Sequence, residues 1–169
     1  VQLQDSLGAA GLHPGADGRG SPLYQTNTPS ESWFMEALAW AAGLFDGEGC
    51  VYMAGHRVQM SLNNTHLPTV RRFHEIVGTG SVHATKNNSK PAHCKPMWAW
   101  HASCAKAEVV LRSLLPWLVT KREQAEVALF ARQYAGTRGR YTPATDRSHL
   151  EWARKQLSQL KTERFEHAS

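Results

Sequence analysis

Between Trp33 and Asn64 the chain changes its hydrophobic period once, and abruptly. Trp33, Phe34, Ala37, Leu38, Ala41, Leu44 and Phe45 recur at the spacing of a helix face, with Ser30 or Ser32 placed to cap it. The spacing predicts a helix from about Trp33 to Asp46, stopped by Gly47 and Gly49. Directly behind it, "CVYMA" and "RVQMSLN" flank Gly55-His56 and read as a hairpin. In the second run Val58, Met60 and Leu62 alternate with Arg57, Gln59, Ser61 and Asn63, so one face is apolar and the other polar.

The pattern then repeats. A helix is expected from about Leu67 to Val77, ended by Gly78, and "GSVHATK" and "MWAWHAS" give two more strands around the basic loop "NNSKPAHCKP". Residues 104 to 115 are amphipathic, Pro116 breaks them, and "TKREQAEVALFARQY" begins another helix. After the loop 136 to 147, "HLEWARKQLSQLKTERF" has high helix propensity and paired charges. The order is α-ββ-α-ββ-α-α-α. Four antiparallel strands need helices over one face, which leaves the other face polar and exposed.

At 169 residues with 41% apolar content, the chain is long enough for one domain with a real core, expected over 30–169. Residues 1 to 29 are rich in Gly, Pro, Ser and Asn without a period and read as a flexible or loosely docked arm. The chain begins without Met and reads as a fragment or a continuation of upstream sequence. Nineteen basic residues against fourteen acidic ones give a net charge of +5, a field that favours a polyanion. No apolar window is long enough for a membrane span, and the start has no secretory-signal pattern. The odd set Cys50, Cys94 and Cys104 reads as reduced thiols of an intracellular protein. One isoleucine, and 12 Arg against 7 Lys, is the bias of GC-rich codons. It favours the cytoplasm or nucleoid of a GC-rich host over an AT-rich organelle.

"AAGLFDGEG", Ala41 to Gly49, resembles the LAGLIDADG motif of homing endonucleases. "PWLVTKREQA", Pro116 to Ala125, is similar to that family's proline-to-lysine segment, and the resemblance extends to "SLNNTHLPTV" and the element order, from about Trp33 to Tyr134. It departs from the usual motif at Ala41, Phe45, Gly47 and Glu48; glutamate still supplies a carboxylate. The resemblance implies an α+β class: the α-ββ-α-ββ-α LAGLIDADG fold, a four-stranded antiparallel saddle-shaped sheet, and additional C-terminal helices.

The small residues Ala39, Gly43 and Gly47 recur every fourth position, so one helix face is nearly bare backbone. Either a helix of the same chain packs there, or a second copy does across a twofold axis, as in the family's single-motif members. With one motif in the chain, the resemblance implies a homodimer. It also implies Glu48, Lys121 and Asn64 as catalytic residues, with the register leaving Asn63 as the rival of Asn64. Glu48 and the Gly47 carbonyl would hold Mg²⁺, with Mn²⁺ or Ca²⁺ able to substitute in binding. Two such sites would bridge two scissile phosphates. Asp46 reads as a structural or capping residue.

Continuing the alternation from Glu48 puts Cys50, Tyr52, Ala54 and His56 on one side with Arg57, Gln59, Ser61 and Asn63, and Val51 and Met53 inside. Arg and Gln on a two-stranded ribbon can read guanine and adenine edges in the major groove. His83, Thr85 and Lys86, with Lys90 and Lys95 beyond, extend this candidate surface for double-stranded DNA, and Arg138 and Arg140 are candidates for phosphate contact. A seven-residue strand spans about 23 Å, or about seven base pairs, and two subunits would read a pseudo-palindromic site of roughly twenty. Trp98 and Trp100 are assigned to the core, and the His93, Cys94, His101, Cys104 set matches no zinc spacing. The expected function is a site-specific, intron-encoded homing endonuclease making a double-strand break. The alternative is a non-cleaving nucleic-acid binder on the same scaffold, an intron RNA maturase or a transcription regulator.

Overall fold

The computed structural model describes residues 31–85, 96–135 and 144–166. The expectations for residues 1 to 29, Ser30, Lys86, Lys90, His93, Cys94, Lys95, Arg138 and Arg140 lie outside the described residues. In chain order the elements are α1 (Glu31–Glu48), β1 (Gly49–Ala54), β2 (Arg57–Asn64), α2 (Leu67–Val77), β3 (Ser81–Ala84), β4 (Trp98–Ser103), α3 (Ala105–Leu114), α4 (Arg122–Tyr134) and α5 (Ala144–Glu166). A 3₁₀ turn at Leu115–Trp117, with Pro116 in its middle, separates α3 from α4. This is the expected α-ββ-α-ββ-α-α-α order. No described helix is long and apolar enough to cross a membrane.

The four strands form one antiparallel sheet in the order β1-β2-β4-β3. In the β1-β2 hairpin Cys50 faces Ser61, Tyr52 faces Gln59 and Ala54 faces Arg57, around a turn at Gly55 with φ +59°. Paired residues share a face. Val51, Val58, Met60, Leu62, Trp100 and Ala102 therefore form the buried face, and α1 to α4 pack against it. α1 contributes Ala37, Leu38, Ala41, Ala42 and Phe45. Each large apolar side chain buried there stabilises the fold by about 1.5–3 kcal/mol.

Three rings join the helices to the sheet. Phe45 of α1 stacks on Phe73 of α2 at 6.1 Å between centroids, and Phe73 meets the edge of Trp100 on β4 at 4.9 Å. The Trp100 indole N–H, which would be costly to bury unpaired, donates to the Thr79 carbonyl at 2.9 Å. Trp98 is half-buried on the same side, so the assignment of both tryptophans to the core agrees with the structure.

Three details differ from the sequence reading. α1 does not stop at Asp46 but runs through Gly47 to Glu48, and the next residue is already in β1. A side chain at Gly49 would collide with the Phe45 ring and carbonyl, so this glycine, rather than Gly47, is where the chain turns back. The Ser32 hydroxyl, inside α1, bonds the Glu36 carboxylate at 3.1 Å and does not act as the cap. α5 begins at Ala144, earlier than the His149 start read from sequence.

α5 packs on α4 and alongside β1, burying Leu150, Ala153 and Leu157. Tyr134 stacks on His149 at 4.1 Å and Phe130 meets Trp152 at 5.3 Å, which fixes the pair. Glu108 of α3 receives Arg112 of the same helix at 2.9 Å and Arg132 of α4 at 3.2 Å, and only the second joins the two helices.

Gly80, at φ +99°, passes the Trp100 indole so closely that a Cβ would collide with it. Gly80→Ala should therefore destabilise the chain by roughly 1–3 kcal/mol, read as a lowered denaturant midpoint. An unchanged midpoint would mean that the β3 edge relaxes freely around Trp100.

Candidate nucleic-acid interface and helix-end centre

α1 ends in an acidic tripeptide whose members point different ways. Asp46 and Glu48 are two residues apart, about 200° around a helix, so they cannot serve one face. Asp46 turns inward: Oδ2 accepts the Val119 N–H at 2.7 Å and Oδ1 accepts the Lys121 N–H at 2.8 Å. Its main-chain oxygen accepts the Thr120 hydroxyl at 3.3 Å and the Lys121 ammonium. Partial burial alone would raise the Asp46 pKa, but the Val119 and Lys121 amides, with Thr120, outweigh it and hold the carboxyl below 3.8. The capping role expected for Asp46 is thus made across the fold, to the segment that leads into α4.

Glu48 is exposed at the tip of α1. The Gly47 carbonyl belongs to the last turn, whose oxygens lack intrahelical partners. One carboxylate and one carbonyl are oxygen donors of the kind hard divalent cations take. Among the described residues no three His, Cys, Asp or Glu side chains converge. A cation here would need further oxygen ligands beyond these two, such as water or phosphate.

Gly43 and Gly47 lie exposed, and a Cβ on either would meet nothing within 4 Å. Among the described residues no helix of the same chain covers them. Ala39 is half-buried, and Trp40, 37% exposed beside it, lies under the Arg72 guanidinium at 5.1 Å.

The outward face of the sheet begins at Glu48. From the register, Cys50, Tyr52 and Ala54 share it with Arg57, Gln59, Ser61 and Asn63, and beyond them with His101, Ser103, Ser81 and His83. Arg57, Asn63 and His83 are exposed, as is His56 in the turn. Three of the expected site residues have contacts within the chain. Thr85 spends its hydroxyl proton on the Met97 carbonyl at 2.8 Å. Tyr52 lies beneath the α5 residue Lys161, whose ammonium sits 5.7 Å from the ring centre; burial, with Cys50, pushes its phenol pKa up. Asn64 pairs with Trp98 on the opposite side of the sheet, and its oxygen accepts the His66 N–H at 2.8 Å where α2 begins. Of the two amides, Asn63 is the one on the polar face.

His101 was considered in the sequence only as a zinc candidate. It sits mid-face, its ring nitrogen 3.4 Å from Gln59 Oε1. The alternation Trp98, Trp100, Ala102 inside against Ala99, His101, Ser103 outside carries that signal. It is weak because Ala99 and Ala102 blur the contrast.

No protein-family model matches the chain, and no protein of curated function matches it by sequence. Among solved structures it is similar to the homing endonuclease I-CvuI in complex with its target in the presence of calcium. The similarity covers 75% of this chain and 83% of that one, with 22% identity and a TM-score of 0.58. I-CvuI in complex with the I-CreI target in the presence of magnesium, with the DNA not cleaved, matches over the same shares at 22% identity and TM-score 0.57. The chain has the LAGLIDADG homing endonuclease fold.

Because the Asp46 carboxyl is held below its usual pKa in the fold, its stabilisation is present above the unfolded value. It is lost as pH falls through the folded one. The stability difference between wild type and Asp46→Asn should be full near neutrality and shrink as pH drops below 3.8. Thermal melts across that range check it; a difference that widens in acid would contradict the assignment.

Proposed function

We propose that the chain is a homodimeric, Mg²⁺-dependent DNA endonuclease that cuts both strands of a long pseudo-palindromic site, and that it promotes mobility of an intron encoding it. One observation carries this reading: the only acidic side chain left exposed in the α1 end motif, Glu48, stands where an uncovered glycine face meets the origin of a polar sheet face. The DNA complexes formed by the structural neighbours, with calcium or magnesium present, support it.

On this reading the outward sheet face lies in the major groove. Arg57, Gln59, Ser61, Asn63 and His83 offer donors and acceptors to base edges. His56 and Tyr52 extend the same surface, Thr85 contributes acceptor lone pairs, and Lys86 follows in the chain. Glu48 and the Gly47 carbonyl would hold the metal, whose chemistry when bound would be activation of a water and neutralisation of charge on the leaving oxygen. Lys121, beside the same helix end, stabilises charge developing on the scissile phosphate. Asn63 is the better placed of the two amides to orient water.

A single chain supplies one exposed carboxylate at the α1 tip, and a double-strand break has two scissile phosphates. Packing a second α1 on Gly43 and Gly47, with Ala39 at the margin, brings two Glu48 side chains to one axis. The bare glycines allow the close approach this needs.

Two experiments test the proposal. Supercoiled plasmid carrying the joined flanking exons should be linearised in Mg²⁺ and not in EDTA. Glu48→Gln should lose at least the roughly 10–100-fold in rate that loss of an outer-shell partner of a metal ligand costs. If wild type and Glu48→Gln both bind and neither cuts, the chain is the non-cleaving binder. For assembly, Gly43→Arg should halve the solution mass measured by light scattering while leaving the monomer folded; an unchanged mass rules out α1 as the interface.

A further inference from the structure

Asp46 makes four hydrogen bonds to one three-residue segment, Val119 to Lys121, that lies 73 to 75 residues away in sequence. Packing does little for the middle of that segment. Val119 is 80% exposed and Thr120 is exposed, whereas Leu118 before them and Lys121 after them are buried. Backbone with exposed side chains opens easily unless its polar groups are tied. Here the ties on the Val119 and Lys121 amides are the two oxygens of one carboxylate.

The same residue also receives the ammonium. A lysine as buried as Lys121, at 8% exposure, needs a polar partner. The Asp46 carbonyl accepts its Nζ at the negative end of the α1 dipole. The Lys121 backbone and side chain are therefore both referenced to Asp46. Asp46 is two residues from Glu48 on a rigid helix turn.

We infer that Asp46 is a positioning residue: it fixes the Lys121 ammonium relative to the Gly47–Glu48 end of α1, and cleavage depends on it through Lys121. This rests on the nuclease reading above. A carboxylate that only docked α1 onto the fold would give a different result, a loss of stability with no special dependence on Lys121.

A double-mutant cycle separates the two, measured as single-turnover cleavage in Mg²⁺ with DNA affinity measured in Ca²⁺. Asp46→Asn, nearly isosteric and retaining one acceptor, should slow cleavage about tenfold, the worth of one charge-assisted hydrogen bond. DNA affinity should not change. On a Lys121→Met background the same substitution should change the rate less than about twofold, because the group it positions is gone. Competitive acylation of lysines in the folded protein gives a second readout that needs no cleavage: Lys121 should label faster in Asp46→Asn than in wild type.

Equal losses from Asp46→Asn on both backgrounds, or unchanged Lys121 labelling, would overturn the inference and leave the nuclease reading intact. Wild type that never cuts its target would overturn both. If Asp46→Asn does not fold, Thr120→Val, which removes the hydroxyl that bonds the Asp46 carbonyl and also acts on its carboxylate, should show the same pattern at smaller amplitude; an additive result there counts equally against the inference.

Discussion

The passage from α1 into β1 has no loop, and the remaining geometry depends on that contact. Gly49 lies so close to Phe45 that only hydrogen fits between them. Phe45 is in turn fixed by Phe73, and Phe73 by Trp100, so the end of α1 is tied through three rings to the middle of the sheet. Glu48 therefore has a fixed relation to the strand that follows it. Had the chain left α1 through a flexible linker, the carboxylate and the polar face would sit on independently moving parts.

Much of this was legible in the sequence because the relevant signals are periodic. The alternation of Val58, Met60 and Leu62 with Arg57, Gln59, Ser61 and Asn63 fixes which face of β2 is outward, and pairing extends that choice to every strand. Gly78 ends α2 in the left-handed conformation its lack of a side chain favours. The less legible features involve residues distant in the chain. Asp46 beside Val119 and Lys161 above Tyr52 are tertiary contacts with no local spacing to announce them. The choice between Asn63 and Asn64 is illegible for a different reason: a one-residue step in a strand moves a side chain to the other face, so the two amides lie on opposite sides of the sheet.

α5 changes how the outward surface is understood. Read from sequence it was an appended helix with paired charges. In the fold it runs beside the edge strand β1, with Leu150, Ala153 and Leu157 inward and Lys161 reaching the Tyr52 ring. An uncovered edge strand is a template for unwanted pairing, and a helix laid alongside it is one of the usual protections. The cost is access: Tyr52, on the outward face, lies beneath Lys161 of α5. Arg57 and His56, toward the turn, remain exposed.

Gly43 and Gly47 show why α1 is hard to explain as a structural element alone. Gly43 lies in the helix interior, where a glycine weakens the helix by about 1 kcal/mol relative to alanine, and Gly47 lies in its last turn; among the described residues nothing requires either one, since a Cβ would meet only open space. Gly49 and Gly80 differ, because their own chain leaves no room for a side chain. A helix that carries two glycines without an internal steric reason is weakened for no gain unless something outside the described residues benefits from the bare backbone. A second α1 approaching closely would recover that loss through backbone contact. It would also bring two carboxylates together, and their repulsion is relieved by a divalent cation. On the proposed reading, assembly and metal binding are then coupled through the same turn of helix, each more favourable when the other has occurred.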